Sequence, residues 1–295
     1  MNGARIYTKE MQDKVLAPGL YLVATPIGNL EDMTLRALRV LRQADKIACE
    51  DTRQTQKLLN HFGIQTPTIS YHLFNEAARA EELTAELKAG ARIAVVSDAG
   101  TPGIADPGAQ IAAAAIAAGV QVFPIPGANA AIAALIGSGL AAESFAFHGF
   151  LPSKQGQRRS LLEALARGQQ THVFYETPHR ILEALADVAA IFGAGQHVVV
   201  ARELTKLHEE FLRGAVAEVL ATLAGRAQVR GEMVLLFALD EPAAGAQTAT
   251  IREAVAGLMR AEALSEKDAL KRVARERGMG KSELYREFQR ERGKK

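Results

Sequence analysis

The sequence predicts an α/β protein of two α/β domains followed by a small helical C-terminal module. Three observations lead there. Short apolar, β-branched runs alternate with stretches of helical periodicity from residue 19 to residue 239. Several of these runs end in loops rich in glycine, proline and asparagine, the punctuation of a strand-to-helix turn. The pattern then stops at residues 241–249, where Pro242, Gly245 and small side chains read as a linker. On this reading the chain divides into an N-terminal extension (1–17), a first α/β domain (18–138), a second (139–240), the linker (241–249) and a basic, helix-turn-helix-like tail (250–295).

Residues 19–24 form a first buried strand ending in Thr25-Pro26-Ile27-Gly28-Asn29. Residues 32–44 carry apolar side chains at 33, 35, 38, 40 and 41, a helical spacing. Residues 46–49 are a short strand, and 52–62 a helix with Gly63 just past its end. Asp51 and Gln54 match a capping box at its start. A strand at 67–71 and a helix at 76–89, closed by Gly90, follow. Residues 92–97 are an apolar strand of the kind covered on both faces. The next eleven residues, 98–108, hold three glycines and two prolines. Within them, Asp106-Pro107 reads as the N-cap and first residue of an alanine-rich helix ending at Ala118. A strand at 120–125 leads through Pro126-Gly127-Ala128-Asn129-Ala130 into a helix of small residues. Loops at the carboxyl ends of parallel strands are where open α/β sheets bind ligands.

Beyond Gly137-Ser138-Gly139, strands are predicted at 145–150, 171–175, 196–201, 210–213 and 233–239. Helices are predicted at 158–166, 178–192 (Thr177 as cap) and 215–223. Adjacent strands without an intervening helix imply a mixed sheet. In the tail, a helix at 264–277 capped by Ser265, the turn Gly278-Met279-Gly280 and a helix opening at Lys281 make the helix-turn-helix-like pattern.

Net charge is only +2, but it is unevenly spread. Of 35 basic and 33 acidic residues, 13 and 8 fall in 251–295, leaving 22 and 25 in the rest. A basic tail on a mildly acidic body points to a polyanionic partner. Cys49 is the sole cysteine, so an intramolecular disulfide and a cysteine-based zinc site are excluded, as suits a reducing, cytoplasmic setting. The seven histidines lack metal-ligand spacing, and no metal is expected. No segment resembles a signal peptide or membrane span. P-loop, G-x-G-x-x-G and G-x-S-x-G signatures are missing, which removes the main support for NTPase, dinucleotide and serine-hydrolase readings.

What remains is a set of polar clusters at strand ends: Glu50-Asp51-Thr52-Arg53, Tyr175-Glu176-Thr177-Pro178-His179-Arg180, Arg202-Glu203-Leu204-Thr205-Lys206 and Arg230-Gly231-Glu232. Together with Thr25-Pro26-Ile27-Gly28-Asn29, Ser97-Asp98-Ala99-Gly100-Thr101-Pro102-Gly103 and Pro126-Gly127-Ala128-Asn129-Ala130, they make seven ordered motifs. That order closely resembles the ribosomal-RNA-modifying branch of the tetrapyrrole methylase superfamily, densely over residues 18–240 and loosely in the tail.

The resemblance implies two α/β domains of tetrapyrrole methylase type with the cofactor cleft between them. It implies S-adenosylmethionine (SAM) as methyl donor, 2′-O-methylation of a cytidine in the decoding region of 16S ribosomal RNA in the small subunit, and a homodimer. Carried onto this chain, it puts Pro26, Gly100, Thr101, Pro102, Ile104, Asp106, Asn129, Ala130, Tyr175, Glu176 and Gly231 near the cofactor. A sulfonium donor needs in-line positioning rather than covalent catalysis. The 2′-hydroxyl needs its proton taken or strongly hydrogen-bonded, and Glu50, Asp51, Glu203 and Lys206 are the candidate catalytic groups. Arg53 and Arg202, with Lys271, Arg272 and Lys281 of the tail, are candidate RNA contacts. Two rival readings are a porphyrinoid methylase and a DNA-binding regulator that uses the tail.

Overall fold

The computed structural model describes residues 15–166, 170–239, 250–262, 264–276 and 279–292. The linker 241–249 and nearly all of the N-terminal extension lie outside the described residues. The chain forms two units, Met1–Ala238 and Leu239–Lys295.

The first unit begins with β1 (Gly19–Val23), α1 (Leu35–Gln43), β2 (Lys46–Cys49), α2 (Thr52–His61), β3 (Thr68–Ser70), α3 (Glu76–Lys88), β4 (Arg92–Val96), α4 (Ala109–Ala117) and β5 (Val122–Ile125). The five strands form one parallel sheet in the order β3-β2-β4-β1-β5. Side chains alternate across it. Tyr21, Val23, Ile47 and Ala94 meet α1 and α2 through Val40, Leu41 and Leu59. Leu20, Ala48, Ile93 and Val95 meet α3 and α4 through Leu83, Leu87, Ile111 and Ala115. Both faces are covered, which is why these strands read as continuous apolar runs.

The chain continues through α5 (Ala130–Ser138), β6 (Phe145–Phe150), α6 (Gln155–Leu165), β7 (Thr171–Glu176), α7 (Ile181–Phe192), β8 (His197–Arg202), β9 (Glu210–Ala215), α8 (Val216–Ala224) and β10 (Met233–Ala238). The second sheet runs β6-β7-β10-β8-β9, with β6–β7 parallel and the other pairs antiparallel, the mixed sheet expected. Although α5 precedes Gly139, it packs on this sheet: Ala131, Ala134 and Leu135 meet Val173, Val199, Ala201 and Val234. On the other face Phe174 and Phe192 contact Phe237.

Three helix starts differ from expectation. The 32–44 helix begins at Leu35, because Asn29 caps a 3-10 turn over Leu30–Asp32 and Thr34 then caps α1 through the Ala37 N–H. Asp106 does not cap α4; Gly108 does, at φ +138°, and its N–H donates to the buried Glu76 carboxylate at 3.1 Å. Thr177 does not cap the helix after β7; the chain first makes a turn, and Arg180 holds the N-cap position of α7.

In the second unit, α9 (Ile251–Glu262), α10 (Glu266–Glu276) and α11 (Lys281–Arg292) close on Ile251, Val255, Ala269, Val273, Leu284 and Phe288. Ser265 accepts the Asp268 N–H at 3.2 Å and caps α10 as expected.

Candidate active site

The loops after β1, β4 and β5 are laced together at the carboxyl end of the first sheet. Thr25 and Gly100 exchange backbone hydrogen bonds of 2.8 and 3.0 Å. Thr101 Oγ1 donates to the Ala128 carbonyl at 3.1 Å and accepts from Asn129 Nδ2 at 3.3 Å. Asn129 in turn caps α5 through the Ile132 N–H. The result is a fixed rim facing the tips of β7, β8 and β10.

Two adjoining cavities open on this rim. The first, about 390 Å³, is lined by Gly100, Thr101, Ile104, Asp106, Ala130, Tyr175 and Glu176, seven of the eleven residues expected near a cofactor. Phe150, Leu204 and Val234 make much of its remaining wall apolar, and Glu50 and Asp98 face it. Its size and its lining, apolar with a few polar groups, are those of a small-ligand site. The second, about 480 Å³, takes Pro26, Gly28, Leu30 and Lys206, together with Gln54, Lys57 and His61 of α2. Ile27, Asp98, Ala99 and Glu232 line both cavities. Pro26, expected at the cofactor, thus lines the neighbouring cavity. Pro102 is buried behind the loop, and Asn129 reaches the first cavity only through its bond to Thr101. Gly231 lines neither cavity; a Cβ there would lie 2.4 Å from Glu203 Cγ.

The electrostatics of the first cavity are unusual. Burial, reinforced by Glu50 and Asp98, pushes the Asp106 carboxyl up to about 6. Burial and Asp98 likewise raise Glu50. Glu176 ends β7, as expected, and is buried; one oxygen accepts the Thr177 N–H at 2.8 Å and the other lies 3.3 Å from Arg180. Burial still holds its carboxyl above the usual range. Carboxylates that raise one another's proton affinity beside an apolar wall suit a cationic ligand with an apolar body.

Around the second cavity the charges are paired. Burial pulls the Lys206 ammonium down, but hydrogen bonds to Glu203 (2.8 Å) and Glu232 (2.9 Å) outweigh it and hold the group above the usual lysine range. Lys206 is therefore a cation, not a neutral amine poised as a base. Gly28 lets the β1 loop rest on its stem, for a Cβ there would lie 2.4 Å from Lys206 Cγ. Hydrogen bonds from Lys206 hold the Glu203 carboxyl down, and Glu203 lines neither cavity. Asp51 caps α2 through the Arg53 N–H and pairs with the Arg53 guanidinium at 3.0 Å, also away from both cavities. The capping box is only half formed. The Asp51 N–H donates to Asp98 Oδ1 at 3.0 Å, and the Gln54 amide oxygen accepts from Lys57 instead. Ala105, Glu203 and Thr205 take positive φ (63°, 52° and 66°), so strained backbone gathers in the loops at this site.

Of the expected RNA contacts, Arg53 is exposed, whereas Arg202 is spent on Glu210 and the carbonyls of Arg230 and His208, bracing the end of the sheet. Lys271 pairs with Asp268 at 3.0 Å, and Arg272 is exposed on α10. The Lys281 side chain lies outside the described residues. Asp98, Glu232 and Gln54 also line the cavities, although the sequence offers Asp98 and Glu232 only as members of motifs and Gln54 only as part of a cap. None of the three carries a local signal beyond a loop or a helix start. Among the described residues no cluster of three or more His, Cys, Asp or Glu side chains suits a metal, and no helix is long and apolar enough to cross a membrane.

The two sheets and the rim between them define a methyltransferase of the tetrapyrrole methylase class: the sequence profile of the tetrapyrrole (corrin/porphyrin) methylases matches residues 19–220. Among solved structures, diphthine synthase superposes with a TM-score of 0.58 at 16% identity, covering 74% of this chain and 89% of its own. Uroporphyrin-III-C-methyltransferase from Thermus thermophilus gives 0.53 at 22%, covering 75% and 94%. These likenesses are of fold. Sequence relatives are nearer. Ribosomal RNA small subunit methyltransferase I of Synechocystis sp. is 47% identical over 270 residues, 90% of this chain and 95% of its own. That of Bacillus subtilis is 45% identical over 272 residues, 90% and 92% of the two chains. The chain belongs to the ribosomal RNA small subunit methyltransferase I family. Neither rival reading, porphyrinoid methylase or DNA-binding regulator, is favoured by these relatives.

Proposed function

We propose that this enzyme transfers a methyl group from SAM to the 2′-hydroxyl of a cytidine in the decoding region of 16S ribosomal RNA. The observation that carries the reading is the pair of adjoining cavities on one rim, in a chain whose relatives are named as ribosomal RNA methyltransferases. The first cavity fits the donor. Its apolar walls suit an adenosyl group, and Glu50, Asp98 and Asp106 complement a positive centre. When bound, SAM supplies an electrophilic methyl group on a sulfonium.

The chain's own residues supply position and proton handling. Gly100, without a side chain, lets the donor lie close against the loop, and Thr101 fixes that loop through Ala128 and Asn129. The ribose oxygen belongs at the wall common to both cavities, where it can approach the methyl group in line. Asp98 and Glu232 are the carboxylates of that wall, and Asp98, which also lines the donor cavity beside Glu50 and Asp106, takes the hydroxyl proton. Lys206, as an ammonium, stabilises the negative charge that develops on the oxygen. The basic tail, 250–295, adds phosphate contacts. A homodimer, a cytoplasmic setting and the domain limits 18–138 and 139–240 are parts of the same reading.

The test is incubation with methyl-labelled SAM and small ribosomal subunits from cells lacking the enzyme. Label mapped to a single cytidine ribose is the expected result. Label on a base or on no RNA would overturn the reading.

A further inference from the structure

We infer that the second cavity seats the base of the acceptor nucleotide, and that α2 reads it through Gln54, Lys57 and His61. The inference rests on the first cavity being the donor site. The two cavities share a wall, so a ribose held at that wall leaves its base to be housed on the side away from the donor. A base drawn out of structured RNA loses its stacking and pairing, and the enzyme must replace both. The second cavity has the means.

Pro26, Ile27, Leu30 and Leu58 give it apolar surface for a base face, and Leu30 is 41% exposed. Gln54, Lys57 and His61 recur at i, i+3 and i+7, which puts all three on one stripe of α2. All three are exposed.

The hydrogen-bonding sense favours cytosine. Lys57 Nζ donates to Gln54 Oε1 at 3.0 Å, which leaves the Gln54 amide nitrogen as the donor presented to a ligand. Cytosine offers two acceptors, N3 and O2, beside one amino donor. Glu232, the carboxylate of the shared wall not used for the hydroxyl proton, is an acceptor that matches that amino group. Uracil puts a carbonyl oxygen where cytosine has its amino group and so meets the Glu232 carboxylate with an acceptor. The half-formed capping box fits this picture, because Asp98 takes the N–H that Gln54 would otherwise have bonded.

The experiment uses Gln54→Ala and His61→Ala in the full chain, with Gln56→Ala, on another side of the same helix, as control. Donor affinity is measured by calorimetry. Single-turnover methyl transfer is measured on small subunits carrying cytidine or uridine at the acceptor position. Wild type and Gln56→Ala should prefer cytidine. Gln54→Ala and His61→Ala should bind the donor as wild type does, transfer about tenfold more slowly to cytidine, and lose most of the preference over uridine. An unchanged rate and preference in both variants, or an equal loss in Gln56→Ala, overturns the inference. If wild type binds SAM but methylates no RNA, the functional reading fails first and this one falls with it.

Discussion

Lys206 Nζ donates to Glu203 Oε1 at 2.8 Å, and the same oxygen accepts the Glu232 backbone N–H at 3.1 Å. One carboxylate oxygen thus ties a tight turn after β8 to the start of β10 and fixes the ammonium that faces the second cavity. Glu203 is a positioning residue on this geometry; it touches neither cavity.

Glu203→Ala is therefore expected to act in two ways. It removes the partner of the solvent-exposed Glu232 N–H, at a cost of about 0.5–1 kcal/mol in stability, read by denaturant unfolding. It also removes a group that holds Lys206 protonated, so the alkaline limb of the methyl-transfer pH profile should move to lower pH. The sign follows from linkage. The raised Lys206 value contributes stability at neutral pH that is lost only as pH rises through the folded value, above the ordinary lysine range. The lowered Glu203 value contributes stability above about pH 4.5 that is lost as pH falls through the folded value. An unmoved alkaline limb would show that Lys206 is not coupled to transfer.

Gly100→Val should abolish donor binding with a modest loss of stability. Gly100 sits at φ +80°, and a Cβ there would lie 3.3 Å from Ile27 Cγ2, in the wall of both cavities. The left-handed backbone costs an ordinary residue about 1–2 kcal/mol, which lowers the melting temperature by several degrees without unfolding the chain. Circular dichroism and calorimetry separate the two effects. Donor affinity equal to wild type would place the loop elsewhere than at the donor.

Asp106 gives a pH prediction. Its carboxyl is raised from 3.8 to about 6, first by burial and then by Glu50 and Asp98. Between those values the folded chain holds a proton that the unfolded chain has released, so stability falls as pH rises through the window. Asp106→Asn removes this cost and should be more stable than wild type at pH 7.5, by about 1 kcal/mol once screening is allowed for. The difference should vanish below pH 4. A cationic donor favours the carboxylate, so wild-type donor affinity should weaken from pH 7 to pH 5 while that of Asp106→Asn stays flatter. Parallel pH dependences in the two proteins would remove Asp106 from the donor site.

Deletion of residues 245–295 should weaken RNA binding, reduce its salt dependence and leave donor affinity intact. The tail has its own core, built from Ile251, Val255, Ala269, Val273, Leu284 and Phe288, and carries 13 basic residues in 251–295. Phosphate contacts are the salt-sensitive part of nucleic-acid binding. Filter binding at two ionic strengths checks this, and identical affinities with and without the tail would rule it out.

Strand and helix signals were legible because they are local. The apolar runs at β1, β4 and β10, the caps at Asp51 and Ser265, and the glycine-rich loop after β4 all follow from neighbours along the chain. The seven motifs also carried the family. The sequence by itself therefore determined the α/β architecture, the mixed second sheet and the loops that gather at the site. Only the tertiary structure decided how the polar side chains are shared out. Glu76 reaches across 32 residues to the Gly108 N–H, which leaves Asp106 uncapped and facing the first cavity. Glu203 reaches across 29 residues to Glu232, and its side chain fills the space a Cβ on Gly231 would take. Asp98 takes the Asp51 N–H from 47 residues away, which turns Gln54 from a cap into a wall of the second cavity. A carboxylate bonds to whatever donor the fold brings within 3 Å, and chain crossings, not sequence spacing, set that donor.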